Sequence, residues 1–145
     1  MSQTISLAQF RNWLELFAEQ IKNEERYLTE LDTAIGDADH GTNMQRGMEQ
    51  VTRQLARENG TREETVSTFL RSIAMTLISS IGGAAGPLYG AFFLRSGKAA
   101  ADSETIDLVQ LAAMFRNGLE GVKQRGEAVL VREALHGRHD QLLVV

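Results

Sequence analysis

Apolar residues recur at helical spacings through most of this chain, and almost no stretch shows the alternation that is typical of a β-strand. Ser6 and Gln9 form a capping-box pattern near its start. The apolar residues that follow are separated by three, four or sums of these numbers: Leu7, Phe10, Leu14, Phe17, Ile21 and Leu28. This pattern predicts a helix over about residues 7–30, and we expect the chain as a whole to be all-α.

Four further helices are predicted, each bounded by a residue type that commonly starts or ends a helix. The second helix spans about residues 43–59 and ends at Gly60, and the third opens with a capping box of Thr61 and Glu64 and ends before Gly82. The fourth helix has Pro87 at its first position. The fifth carries an apolar stripe from Leu108 to Val122 and ends near Gly126. No internal repeat or low-complexity linker separates them.

The length of 145 residues is that of one domain, which can bury an adequate core without a disulfide. The chain has no cysteine, which excludes thiol catalysis and favours a reducing compartment. The formal net charge is −4 and the basic residues are not clustered, so nucleic acid is not an expected partner. The start of the chain does not resemble a signal peptide, and we expect a cytoplasmic protein.

Residues 72–94 carry no charge and would be long enough to span a bilayer. However, their glycines and Pro87 are grouped near the middle, where they would break a continuous helix. We therefore expect two buried helices joined by a glycine loop and no membrane partner, with a membrane span as the alternative.

The stretch "IGDADHGTNM" contains Asp37, Asp39 and His40 in one short turn, and Asp32 shortly precedes it. The mutual repulsion of three carboxylates is costly unless a cation neutralises it, and oxygen ligands favour Mg²⁺ or Ca²⁺ over zinc. The spacing is not that of an EF-hand loop, because twelve positions from Asp32 bring Asn43 in place of the closing glutamate. The alternative is that Asp37, Asp39 and Asn43 are turn formers and helix caps.

A second unusual stretch, "SSIGGAAGPLYGAFF", places small residues directly before a helix that has proline at its start. Uncovered N–H groups at the positive end of a helix dipole can bind phosphate. The stretch is neither a Walker loop nor a dinucleotide fingerprint, and close helix packing is the alternative explanation for its small residues. Together, an acidic turn and a phosphate cradle are the two halves of a nucleotide-phosphate site.

The segments "LDTAIGDADHGTNMQRG" and "GGAAGPLYG" resemble the signature stretches of the nucleotide-binding L subunits of dihydroxyacetone kinase. The resemblance extends over about residues 7–126 and includes "MFRNGLEGVKQRG". It implies a barrel of antiparallel amphipathic helices with the nucleotide at one end, in the loops between helices.

The resemblance also implies a role for individual residues. Asp32, Asp37 and Asp39 would bind magnesium ions that bridge the phosphates of ADP or ATP, and no side chain would act as a nucleophile. The implied nucleotide contacts are His40, Gly41, Thr42, Asn43, Ala84, Ala85 and Gly126. The family commonly has serine where this chain has Ala85, so a hydroxyl donor is missing and we expect weaker nucleotide binding. A phosphohistidine at His40 is the less favoured alternative.

Two mechanisms occur in this family. In one, the domain is fused behind a dihydroxyacetone-binding domain and uses exchangeable ATP. In the other, a separate subunit keeps ADP bound, receives phosphate from a phosphohistidine protein of the phosphoenolpyruvate phosphotransferase system, and passes it to dihydroxyacetone on a K subunit. The first predicted helix begins within a few residues of Met1, which favours the separate subunit.

The sequence after Gly126, "EAVLVREALHGRHDQLLVV", departs from the family, which continues through further helices. We therefore divide the chain into a partial nucleotide-binding domain, residues 1–126, and a divergent tail, residues 127–145, which would arise from truncation or a shifted reading frame. His136 and His139 in this tail are not expected to form a metal site. An incomplete barrel would expose apolar helix faces, and a homodimer is one expected consequence. The alternatives are a non-catalytic remnant and the related nucleotide domain of fatty-acid kinases.

Overall fold

The structure is a computed structural model that describes residues 3–34, 36, 38–57 and 64–135, with side chains described as far as residue 127. Helices dominate this part of the chain, and the all-α prediction is confirmed. The elements in chain order are β1 (Thr4–Ser6), α1 (Leu7–Asn23), α2 (Glu25–Thr33), α3 (His40–Arg57), α4 (Val66–Ser80), α5 (Ala85–Ala99), β2 (Thr105–Asp107) and α6 (Leu108–Leu135).

The first predicted helix is two helices in the structure. Its start is as predicted, because Ser6 and Gln9 form the reciprocal hydrogen bonds of a capping box. Its continuity to residue 30 was wrong: the backbone of Glu24 turns away from helical geometry, with φ −100° and ψ 7°. Neither glycine nor proline occurs at this break, and the local signal is weak: Lys22 lies in the last turn and Asn23 is the last residue of α1.

The predicted start of the third helix was also wrong. The helix begins at Val66, where Thr65 and Thr68 form the capping box. Glu64 precedes it and forms an ion pair of 2.6 Å with Arg11 of α1. Gly60 and Thr61 lie outside the described residues. The observed capping box therefore lies directly after the predicted one, next to a tertiary contact of Glu64.

Two further boundaries differ from the prediction. Helix α5 begins at Ala85, so Pro87 lies third in the helix, where its missing N–H still costs no intrahelical hydrogen bond. Helix α6 does not end near Gly126 but continues to Leu135. A single glycine inside a helix costs only about 1 kcal/mol relative to alanine, and this cost is too small to end a long helix.

The helices form an array in which α3 packs against α1, α2 and α4, and α5 packs between α4 and α6. The core lies mainly between helices α1, α3, α4 and α5 and includes Leu14, Met44, Val51, Phe69, Leu70, Ile73 and Leu77. Strands β1 and β2, which the sequence did not predict, form an antiparallel pair in which Ile5 faces Ile106. Short connections join α2 to α3 and α4 to α5 at the same end of the array.

The uncharged segment 72–94 is divided between α4 and α5, as predicted, by a loop that begins at Ile81. In the part of the chain that the structure describes, no helix combines the length and apolar character needed to cross a membrane.

Candidate functional site

The acidic turn and the glycine loop lie side by side at one end of the array. Asn43, in the first turn of α3, is 7% exposed, and a Cβ atom built on Gly82 would lie 3.1 Å from its Oδ1 atom. One turn further along α3, a Cβ atom on Gly47 would overlap the side chain of Ile81. The two segments singled out in the sequence therefore form one surface.

The carboxylate of Asp32 caps α3 from the neighbouring helix. Its Oδ2 atom accepts hydrogen bonds from the N–H groups of Asp39 and His40, at 3.1 and 3.3 Å. The main-chain oxygen of Asp32 accepts from the N–H of Gly36 at 2.6 Å, so the turn curls around this residue. Asp32 thus has a capping role, which the sequence indicated as an alternative for Asp37, Asp39 and Asn43 but not for Asp32, and its Oδ1 atom takes no part in these two bonds.

The turn itself has an unusual backbone. Ala38 has φ +60°, a left-handed conformation that costs a residue with a Cβ atom roughly 1–2 kcal/mol. Such residues cluster at functional sites, where the surrounding structure holds them. Directly after it, the main-chain oxygen of Asp39 accepts the N–H of Asn43 at 2.9 Å and so begins α3.

The structure describes two of the three predicted metal ligands, Asp32 and Asp39, whereas Asp37 lies outside the described residues. Within those residues there is no cluster of three or more histidine, cysteine or acidic side chains suited to a metal. Mg²⁺ is commonly held by only one or two carboxylates, with water and phosphate oxygens completing its shell. The chemistry of Asp32 and Asp39 is thus of the type that Mg²⁺ uses, and their role as ligands stays a prediction.

The glycine loop combines close packing with an open N-terminus. A Cβ atom on Gly86 would overlap the main-chain oxygen of Ile81, so packing does require a small residue there. Gly83 has φ +65°, and a Cβ atom there would meet nothing within 4 Å. The N-cap residue of α5 is Ala84, which supplies no side-chain hydrogen bond to the first N–H groups of the helix. Close packing therefore explains the small residue at Gly86, and a phosphate cradle at the N-terminus of α5 stays a prediction.

A largely apolar cavity of about 230 Å³ lies beside the acidic turn. Burial raises the pKa of the Tyr89 hydroxyl at its wall above its usual value. Sequence reasoning missed the cavity, because its lining comes from four helices. The lining residues are Trp13, Phe17, His40, Leu88, Tyr89, Phe92, Phe93 and Val122.

The remaining predicted site residues occupy distinct positions around this end. His40 joins the turn to the cavity. Gly126 lies one turn beyond Val122 on α6, and a Cβ atom built on it would lie 3.9 Å from Leu88. The hydroxyl of Thr42 is directed to α2, where it donates to Oε1 of Glu25 at 3.0 Å. Sequence reasoning did not identify Glu25.

The chain matches the DAK2 domain family over residues 34–135. It is 42% identical over 125 residues to the ADP-binding subunit of the PEP-dependent dihydroxyacetone kinase of Escherichia coli K12, an alignment that covers 86% of this chain and 58% of that protein. It is 45% identical over 116 residues to the ADP-binding subunit of the PTS-dependent dihydroxyacetone kinase of Lactococcus lactis, covering 80% of this chain and 56% of that protein. A relative from Listeria innocua, the ADP-binding subunit of PEP-dependent dihydroxyacetone kinase 1, is 40% identical over 116 residues, covering 80% of this chain and 57% of that protein.

The chain thus spans a little over half the length of these curated relatives. The matched region includes the acidic turn, the glycine loop and helix α6 as far as Leu135. Both the family match and the identity to these relatives lead to one conclusion: this chain belongs to the family of DAK2 domains.

Proposed function

We propose that this chain binds ADP or ATP together with Mg²⁺ where the acidic turn meets the glycine loop. The observation that carries the proposal is the proximity of Asn43 and Gly82, which joins an acidic turn to a helix N-terminus without a side-chain cap. The names of the relatives, which are ADP-binding subunits, support the same ligand.

In this proposal, the two halves of the site have different tasks. The N-terminus of α5, with Ala84 and Ala85, faces the phosphates with its N–H groups and the positive end of its dipole. His40, Gly41, Thr42 and Asn43 line the nucleotide from α3, and Gly126 contacts it from α6. The proposed nucleotide-binding part is residues 1–126 and the divergent tail is residues 127–145, although α6 crosses that boundary without a break.

Asp32 and Asp39 would hold Mg²⁺, together with Asp37, which lies outside the described residues. The ion would neutralise the charge of the phosphates and of the carboxylates. The chain's own residues bind and orient the nucleotide and neutralise charge, and none of them is needed as a nucleophile.

We further propose that the chain acts as the nucleotide subunit of a cytoplasmic phosphoenolpyruvate-dependent dihydroxyacetone kinase. A phosphohistidine protein of the phosphotransferase system would phosphorylate the bound ADP, and a K subunit would hold the dihydroxyacetone that accepts the phosphate. The names of the relatives as kinase subunits support this assignment.

The first prediction is that ADP binding depends on Mg²⁺. Without the ion, the carboxylates of the acidic turn repel the phosphates. Isothermal calorimetry in magnesium-containing buffer should give a measurable affinity, and excess EDTA should weaken it at least about tenfold, or about 1.4 kcal/mol. Adenosine, which lacks phosphates, is the control ligand and should be insensitive to EDTA. Equal ADP affinities in both buffers would remove the metal from the proposal.

The second prediction concerns a homodimer. Trp13 of α1 and Phe115 of α6 contact each other, with ring centroids 6.2 Å apart. One turn further along each helix, Leu16 is 53% exposed and Leu119 is 58% exposed. We infer that these two side chains extend the apolar surface of Trp13 and Phe115 across both helices. Large exposed apolar patches mark interaction surfaces.

We expect light scattering to show dimers, and the Leu16→Glu/Leu119→Glu variant to be monomeric. Met75→Glu is the matched control, because Met75 is 59% exposed but lies on α4, which packs against α3 and α5. A monomeric unsubstituted protein would contradict the dimer, and so would a dimer that resists the double substitution.

A further inference from the structure

Helix α2 is weakly buried, yet it contacts the start of α3 along a single stripe. All of its residues are described, and none of them is buried. Glu25, Thr29 and Asp32 are separated by four and then three positions, which places them on one face of the helix. Each of the three contacts the first turn of α3 or the residue before it, whereas Leu28 of the same helix packs against the core.

The contacts at the two ends of the stripe are hydrogen bonds to carboxylates. At the far end, Asp32 accepts the N–H groups of Asp39 and His40. At the near end, Glu25 accepts the hydroxyl of Thr42 at 3.0 Å. The first turn of α3 is thus held at two points, and hydrogen bonds with a charged acceptor are the stronger kind.

Between these points the two helices are in close contact. A Cβ atom on Gly41 would overlap the main-chain oxygen of Glu25 and lie 2.5 Å from Oγ1 of Thr29. That Oγ1 atom is buried and has no hydrogen-bond partner among the described residues. The two helices thus enclose the Thr29 hydroxyl without giving it a hydrogen-bond partner among the described residues. The polar interactions between the helices are therefore the hydrogen bonds to Asp32 and to Glu25 at the two ends of the stripe.

The bond between Thr42 and Glu25 limits what Thr42 can do for a nucleotide. A hydroxyl has one proton to donate, and the carboxylate of Glu25 accepts it. While this bond is present, Thr42 Oγ1 does not donate to a phosphate. Its side chain therefore acts on the site through α2.

We propose that Glu25 is a positioning residue for the nucleotide site: through Thr42 it fixes the rotation of the first turn of α3, and with it the placement of His40 and Asn43. The proposal rests on the proposed function, because it assumes that a nucleotide binds at this turn. Precise placement matters at such a site, because the supporting residues determine whether groups around the phosphates are held in a productive geometry.

The test compares Glu25→Ala, Glu25→Gln, Thr42→Val and the double variant Glu25→Ala/Thr42→Val. The matched controls are Glu30→Ala, which removes an exposed carboxylate elsewhere on α2, and Thr52→Val, which removes a hydroxyl elsewhere on α3. Mg-ADP affinity is measured by calorimetry, amide hydrogen exchange of residues 40–44 is measured without nucleotide, and circular dichroism verifies folding.

We expect Glu25→Ala and Thr42→Val each to weaken Mg-ADP binding about fivefold to tenfold, and the double variant to be no weaker than either. Glu25→Gln keeps an accepting oxygen and should restore most of the affinity. Amide hydrogen exchange at residues 40–44 should become faster in Glu25→Ala and in Thr42→Val, and it should stay unchanged in the controls. Thr42→Val is nearly isosteric, so it keeps the test valid if Glu25→Ala fails to fold.

Three results would overturn the positioning role. Higher affinity in both Glu25→Ala and Glu25→Gln would show that Glu25 acts by charge repulsion alone. Additive losses would show that Glu25 and Thr42 act independently. Unchanged affinity and exchange in Thr42→Val would show that the bond positions nothing. If the unsubstituted protein does not bind Mg-ADP, the proposed function fails instead, and the exchange measurement still decides whether Glu25 and Thr42 hold the turn.

Discussion

The Gly41→Ala protein is expected to be destabilised and to lose measurable ADP binding. The added methyl group would overlap the main-chain oxygen of Glu25, and a main-chain atom cannot be moved by a change of rotamer. Relief requires α2 to shift away from α3, which breaks the hydrogen bonds from Asp39 and His40 to Asp32. Overpacking of this kind costs about 1–3 kcal/mol. Urea denaturation and calorimetry with Mg-ADP measure the two effects.

Gly126→Ala is the matched control for stability. Its added methyl group would meet Leu88 at 3.9 Å, which is an ordinary van der Waals distance. Because alanine is the better helix former, this variant should gain up to about 1 kcal/mol. If the Gly41→Ala protein kept both its urea midpoint and its ADP affinity, the close contact between α2 and α3 would be refuted.

Substitutions of Asp32 are expected to separate its capping role from its role toward the metal. Asp32→Ala removes the acceptor of two N–H groups, at a cost of about 1 kcal/mol in stability, and also removes an anionic ligand. Asp32→Asn keeps an accepting oxygen and should retain most of the stability. Both variants should bind Mg-ADP at least about tenfold more weakly, because both lack the charge.

Asp37→Asn extends this series to the residue outside the described part of the chain. It keeps turn propensity and removes one charge, so the metal proposal again predicts a loss of at least about tenfold in Mg-ADP affinity. If the aspartates are only turn formers, stability and affinity should change by no more than a few tenths of a kcal/mol. If Mg-ADP binding is unchanged in both Asp32→Asn and Asp37→Asn, the aspartates act as turn formers and the proposed metal site is wrong.

The sequence predicts those helix starts that depend on neighbouring residues alone. Ser6 and Gln9 cap α1 as predicted, because the reciprocal bonds need only a short segment. In "TREETVST" the standard capping-box pattern is Thr61 with Glu64, yet the helix begins after Thr65, with Thr68 in the place of the usual glutamate or glutamine. The observed start is accompanied by long-range contacts of Glu64 with Arg11 and of Val66 with Ser103, which the local sequence does not indicate.

The candidate site also has parts that the sequence predicts and parts that it does not. The acidic turn and the glycine loop are recognisable because each is continuous in the sequence and has an unusual composition. The break at Glu24 allows α2 to lie along α3, but it is marked only weakly in the sequence, by Asn23 and not by glycine or proline. Glu25 and the cavity beside His40 depend on that packing and on helices far apart in the chain. They become visible only in three dimensions.

The pairing of β1 with β2 determines when, during synthesis, the backbone of β1 acquires its hydrogen bonds. Ile5 pairs with Ile106, and the N–H of Leu7 donates to the oxygen of Glu104. Ribosomes add about 5–20 residues per second, so β1 waits several seconds for its partner strand. During that interval its backbone groups stay unpaired, as on an exposed sheet edge. Strand β1 therefore acquires its hydrogen bonds only after synthesis has passed Asp107.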